Sequence, residues 1–284
     1  MLRGRLFAFA AASCKLSLAN TVGGNDMNDT AAAPPVDDIW ATKHPELVAG
    51  RGYAWSPQAK PLTGAHALLR AAIFIYLAMQ TAALLALGGM MYILFIFQSG
   101  GDVTGEMGNM LGTVANFASV YLPIGAIVVL VGCVIAYSIF VYRGMKNLHL
   151  SGARTITTSP GWAVGWSFIP FANIGMIFNV MRQIWVGSHD PVAGKYNPPF
   201  TIVLWWGCWI ASGVVGRISD TLAPKDGDLS FLDPSEFFGA FMPNAVCGAI
   251  SGALSIISCF CLMAIIKQIT AAQESLRSTA AFDE

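Results

Sequence analysis

The chain has 284 residues, of which 55% are hydrophobic and 11% are charged. Soluble domains carry roughly 25% charged residues, so this composition argues against an ordinary soluble globular protein. Its 16 basic and 16 acidic residues balance to zero net charge, which argues against a nucleic-acid partner. The 4 histidines and 6 cysteines show no metal-ligand spacing, so we predict neither a metal site nor a cofactor.

The N-terminal region, residues 1–64, is predicted to be disordered or leader-like, because it is rich in Ala, Pro, Gly and charge. Arg3 and Arg5 precede the apolar stretch from Leu6 to Ala12, a pattern typical of a signal peptide. A second interpretation places the true start of the protein at Met27. We expect the N-terminal tail to be cytoplasmic.

Charge-free runs then dominate residues 65–272, the predicted transmembrane domain. A membrane-spanning helix needs about 20 apolar residues, and every one of these runs is long enough. The runs are 71–101, 107–142, 155–181, 196–216 and 237–266. Residues 273–284 are predicted to form a short C-terminal tail.

The third run, 155–181, differs from the others. Pro160 and Pro170 interrupt any helix there, and Asn173 would be costly in lipid. We therefore predict an all-α, multi-pass bundle with four spanning helices plus a Pro-broken re-entrant or interfacial segment. Five spanning helices are the alternative.

Basic residues favour four spans, because loops on the cytoplasmic side of a membrane carry an excess of Lys and Arg. If the third run enters and leaves on one side, the outer loops keep only Arg217 and Lys225 as basic residues. The remaining basic residues of the domain and tail then become cytoplasmic: Arg143, Lys146, Arg154, Arg182, Lys195, Lys267 and Arg277.

Several sequence stretches, taken together, resemble one known family. They are Arg143-x-x-x-Asn147, Ser159 to Asn173, Met181 to Trp185, Trp205-Trp206 and Ile269 to Gln273. The chain resembles the bacterial domain-of-unknown-function 4328 family of multi-pass membrane proteins over roughly residues 65–280. The resemblance implies a location in the bacterial cytoplasmic (inner) membrane, and it supplies no catalytic residues.

A candidate site follows from the polar and aromatic residues at these stretches. Its members are Arg143, Asn147, Trp162, Trp166, Asn173, Arg182 and Trp185. Guanidinium groups bind phosphate and stack on aromatic rings, so these residues would suit an anionic lipid headgroup or a phosphorylated ligand. Two other interpretations remain: Arg143 anchors a helix end at the headgroups, or the polar residues satisfy the backbone freed at Pro170.

The sequence favours a non-enzymatic membrane protein with an interaction, scaffold or regulatory role, because it contains no nucleophile, phosphate-loop or paired-carboxylate motif. Its expected partners are membrane lipids and either a second copy or another membrane protein. The alternative is a small-solute transporter or channel acting as an oligomer, because broken polar segments build transport sites.

Overall fold

The regular elements of this protein are helices throughout the described residues, as the sequence predicts. The structure is a computed structural model that describes residues 55–99, 106–194, 196–223 and 234–280. The helices are α1 (Thr63–Gln98), α2 (Glu106–Leu150), α3 (Pro160–Gly165), a 3-10 turn (Trp166–Phe168), α4 (Ala172–His189), α5 (Phe200–Leu222) and α6 (Pro234–Ala280).

Four of these helices are long and apolar enough to cross a membrane. They supply the segments Thr63–Ile93, Pro123–Leu150, Phe200–Leu222 and Phe238–Thr279. The four-span prediction is therefore confirmed over the five-span alternative. The third charge-free run fails as a span because it is divided into α3, the 3-10 turn and α4.

The prolines explain where this third run divides. Pro160 is the first residue of α3, and the hydroxyl of Ser159 caps the helix by accepting from the Trp162 N–H at 3.4 Å. Ahead of Pro170, Ile169 is extended, as the residue before a proline prefers. Phe171 then has a positive φ of 66°, and Ala172 N–H donates to the Pro170 carbonyl at 2.8 Å. This tight turn reverses the chain before α4 begins.

Residues 151–190, which we call the turn-back segment, leave and rejoin the bundle at the same end. The Arg154 N–H donates to the carbonyl of Pro191 at 3.0 Å, so the two flanks of the segment lie side by side. Near the reversal, the Trp206 indole N–H donates to the Ile174 carbonyl at 2.6 Å. Trp206 is six residues from the start of α5, or about 9 Å along the helix, so the reversal lies at a shallow level of α5.

The long helices approach one another through small and hydroxyl-bearing residues. A Cβ at Gly252 would lie 2.8 Å from Leu84 Cδ2, so the absence of a side chain there allows α1 and α6 to pack closely. Ser212 and Ser251 each donate to the other's carbonyl at 3.0 Å, which joins α5 to α6. Such contacts stabilise helix pairs in a lipid environment, where apolar burial drives association weakly.

Residues 55–62, which precede α1, pack on the bundle and bury Leu62 to 1% exposure, because their backbone bonds to α2 and α6. Helix α6 continues to Ala280 and so includes residues 273–280 of the predicted C-terminal tail. Residues 1–54, with the leader-like stretch and Met27, lie outside the described residues.

Candidate functional site

The residues of the predicted site differ in their exposure to solvent. Asn147 and Trp185 are buried, Trp166 and Asn173 are half-buried, and Arg143, Trp162 and Arg182 are exposed. Arg143 and Asn147 lie one helical turn apart on α2, yet their environments are opposite. The predicted residues therefore divide between a buried network and an exposed surface.

Asn147 is 3% exposed and uses its amide to hold the chain segment that precedes α1. Its Oδ1 accepts from the Lys60 N–H at 3.1 Å, and its Nδ2 donates to the Lys60 carbonyl at 2.8 Å. The same Nδ2 donates to Gln273 Oε1 at 3.1 Å. Both amide hydrogens of Asn147 are thus engaged, and no donor remains for a ligand.

Gln273 extends this network into α4. Its Nε2 donates to the Gly144 carbonyl at 3.2 Å and to Ser188 Oγ at 3.0 Å. Ser188 Oγ in turn donates to the Ile184 carbonyl at 2.6 Å. We call Asn147, Gln273 and Ser188 the amide node, and the end of the bundle where they meet the node end. The node joins α2, α4, α6 and the segment before α1.

Gln183 makes a second set of buried contacts, which fixes the loop ahead of α3. Its Oε1 accepts from the N–H groups of Thr157 and Thr158, both at 3.1 Å, and its Nε2 donates to Thr158 Oγ1 at 3.0 Å. His149 Nε2 bonds to the Thr158 carbonyl at 2.8 Å. The loop is therefore attached to both α2 and α4.

Trp185 packs in an aromatic stack on α4. Its ring lies 4.2 Å from that of His189, which in turn stacks on Tyr196 at 4.9 Å. Trp162 and Trp166 instead contact each other, with ring centroids 5.0 Å apart and ring planes tilted by 36°. The three tryptophans of the predicted site therefore do not form one cluster.

An open crevice of about 520 Å³ lies between α2 and α3. It is lined by Ser138, Ile139, Tyr142, Arg143, Gly161 and Val164, and we call it the α2–α3 crevice. Lys146 Nζ lies 5.8 Å from the centre of the Tyr142 ring, so a second cation is close to Arg143. Among the described residues, Arg143 has no ion pair or hydrogen bond of its own.

Exposed cations are concentrated at the node end, where α1 begins and α2, α4 and α6 end. They are Lys60, Arg70, Arg143, Lys146, Arg154, Arg182, Lys267 and Arg277. Of the acidic residues described there, Glu274 pairs with Arg277 at 3.1 Å. At the opposite end, the charged residues described as exposed are Arg217, Asp220 and Glu236.

Gln183 and Gln273 do more in the structure than the sequence suggested. Both lie in stretches that carry the family resemblance, and each is an uncharged polar residue among apolar ones. This polarity among apolar neighbours is the sequence feature that could have identified the two glutamines. It does not reveal their function, because an amide side chain has no single preferred role. Within the described ranges, no group of three or more His, Cys, Asp and Glu residues is placed to hold a metal ion.

Comparison with known proteins gives one match. The family model described as "Domain of unknown function (DUF4328)" matches residues 111–271, which is more than half of the chain. No curated protein and no solved structure matches the chain. The matched range includes Arg143, Asn147, Gln183 and the whole turn-back segment.

Proposed function

We propose that this chain, which belongs to the DUF4328 family, is a non-enzymatic protein of the bacterial cytoplasmic membrane. In this proposal its node end faces the cytoplasm and binds anionic lipid headgroups. Its role is interaction, scaffolding or regulation, with lipids and another membrane protein or a second copy as partners. Four helices able to cross a membrane are the framework for this role.

The unequal distribution of exposed cations carries the proposal. Eight exposed Lys and Arg residues lie at the node end among the described residues, whereas Arg217 is the exposed cation described at the other end. Lys and Arg remain on the cytoplasmic side of bacterial membranes, where anionic lipids also attract them. Each cation near such a surface contributes about 1 kcal/mol of attraction.

The hydrogen bonds of the amide node support a structural role for its polar residues. The amide hydrogens of Asn147 and Gln273 are engaged with protein partners. A saturated buried network fixes the arrangement of helices and contributes to a single packed state. Ligand binding is therefore assigned to the exposed cations.

Labelling of introduced cysteines tests the proposed orientation. Val192, Ser278 and Ala223 are exposed, the first two at the node end and the third after α5. With a membrane-impermeant maleimide, we expect Val192→Cys and Ser278→Cys to react in inverted vesicles, and Ala223→Cys to react in intact spheroplasts. The unsubstituted chain controls for native thiols.

Two results would overturn parts of the proposal. Reaction of Val192→Cys and Ser278→Cys from opposite faces would contradict the four-span topology. Reaction of both only from the outer face would place the cations away from the cytoplasm and remove the basis for headgroup binding.

A further inference from the structure

The α2–α3 crevice combines apolar sides with a cation at one edge. Ile139 and Val164 supply apolar surface from α2 and α3. Arg143 lies one turn beyond Ile139 along α2, about 6 Å nearer the node end. The crevice therefore has the polarity of a lipid molecule, with an apolar part deeper and a charged part nearer the proposed cytoplasmic surface.

The guanidinium of Arg143 is available to an anion. It is exposed, and its Nη1 lies so near the first turn of α1 that a Cβ placed on Gly64 would be 3.9 Å away. No carboxylate of the described chain pairs with it. A guanidinium offers two parallel N–H donors that match phosphate oxygens, and such charge-assisted bonds are stronger than neutral ones.

Ser138 adds an unused polar group on the same crevice. Its Oγ is buried and has no hydrogen-bond partner among the described residues, although most buried polar groups have one. Ser138 lines the crevice together with Tyr142, whose side chain is exposed.

The surrounding aromatic residues place the crevice at a lipid–water boundary. Trp162 is 55% exposed and its ring contacts that of Trp166, and Tyr142 is 40% exposed. Tryptophan and tyrosine are enriched at membrane interfaces, where their rings contact both apolar and polar surroundings. This level suits the region where phosphate and glycerol meet the acyl chains.

We propose that the α2–α3 crevice binds one anionic phospholipid, with its phosphate on Arg143 and one acyl chain between Ile139 and Val164. This inference rests on the proposed headgroup-binding function and assigns it to one site. Arg182 lies on α4 and does not line the crevice. Arg217 is also exposed but lies at the opposite end of the bundle, so Arg143 and Arg217 form a matched pair for testing.

Native mass spectrometry of the purified full chain in mild detergent provides the test. Dioleoyl phosphatidylglycerol and dioleoyl phosphatidylcholine are added in equal amounts, so that only the headgroup differs. We expect the unsubstituted chain to retain phosphatidylglycerol preferentially. Arg143→Gln should reduce this retention about tenfold, because a charged hydrogen-bonding group is lost. Arg217→Gln, with the same charge change, should leave it within about twofold.

A second variant tests the apolar part without removing charge. Gly161 lines the crevice, and a Cβ there would meet no atom within 4 Å, so Gly161→Leu is compatible with the α3 backbone. The leucine should obstruct the acyl chain and lower retention as Arg143→Gln does. Glycerol 3-phosphate, which has the phosphate but no acyl chain, should not be retained. Unfolding temperatures of the variants show whether each one is folded.

The outcomes separate this inference from the function on which it rests. Selective retention that survives both Arg143→Gln and Gly161→Leu would overturn the crevice site and keep headgroup binding elsewhere. Equal retention of the two lipids by the unsubstituted chain would overturn both. Loss of retention in Arg217→Gln as large as in Arg143→Gln would indicate an effect of net charge and would also overturn the crevice site.

Discussion

The amide node and the α2–α3 crevice lie within a few turns of each other on α2, yet their polar groups differ in hydrogen bonding. In the node, Asn147 and Gln273 are buried and bonded to the protein itself. In the crevice, Arg143 is exposed and the Ser138 hydroxyl lacks a partner among the described residues. The node has the features of a structural element, and the crevice has those of a binding site.

Substitutions in the node and in the crevice are therefore expected to have different effects. Removing one member of a buried network leaves its partners unsatisfied, which costs about 1–3 kcal/mol for each group. Removing an exposed cation leaves the fold nearly unchanged and acts on binding. If the node and its neighbourhood are structural elements, substitutions there should lower the free energy of unfolding.

The largest effect is expected for Gln273→Ala. Gln273 is 1% exposed, and its loss removes one hydrogen-bond partner from each of Asn147 Nδ2, the Gly144 carbonyl and Ser188 Oγ. The free energy of unfolding should fall by about 3 kcal/mol. SDS-induced unfolding in mixed micelles measures it. Gln268→Ala, an exposed position on the same helix, is the control, and an equal loss there would contradict a structural node.

Gln183→Ala should have the next largest effect. The change leaves the N–H groups of Thr157 and Thr158 without the Oε1 acceptor, and we expect a loss of about 2 kcal/mol. Hydrogen exchange should become faster at these two amides, whereas the amide of Lys60, bonded to Asn147, should keep its rate. Unchanged exchange at Thr157 and Thr158 would show that Gln183 does not hold the loop.

Two glycines of α4 should respond to alanine in opposite directions. At Gly187 a Cβ would lie 2.9 Å from Ile156 Cδ1 and 3.0 Å from Leu148 Cδ1, so Gly187→Ala should destabilise the protein by about 1 kcal/mol. At Gly175 a Cβ would meet no atom within 4 Å. Gly175→Ala should therefore stabilise α4 by up to about 1 kcal/mol through helix propensity. The same micelle titration compares the two variants. Changes of the same sign in their free energies of unfolding would contradict the different packing of the two glycines.

The smallest effect is expected at the ion pair between Arg277 and Glu274. Arg277 is exposed, so Arg277→Ala should change the free energy of unfolding by less than about 0.5 kcal/mol. Glu274→Ala should cost about 1 kcal/mol more, because Glu274 Oε1 also accepts from the Leu62 N–H at 3.0 Å. Equal effects of the two substitutions in the micelle titration would mean that this second bond contributes nothing.

The spans could be predicted from the sequence because their signal is local. Charge-free length identifies the helices able to cross a membrane, and the prolines identify the run that turns back. The placement of basic residues along the chain also favours four spans. These features depend on residues that are neighbours in the chain.

The candidate site could be predicted only in part, because its geometry depends on distant residues. A spacing of four put Arg143 and Asn147 on one helical face, which suggested a shared role. Asn147 instead bonds to Lys60 and Gln273, which are 87 and 126 residues away in the chain. No local pattern identifies such partners. Arg143, by contrast, is exposed, as a headgroup ligand must be.

Hydrogen exchange with and without anionic lipid tests the distinction between node and crevice most directly. The full chain is placed in phosphatidylcholine nanodiscs and in matched nanodiscs that also contain phosphatidylglycerol. We expect phosphatidylglycerol to slow exchange in residues 138–143 and 159–166 and to leave residues 56–62 and 270–275 unchanged. Slower exchange in the node segments, with no change around the crevice, would contradict the account in which the node is structural and the crevice binds lipid.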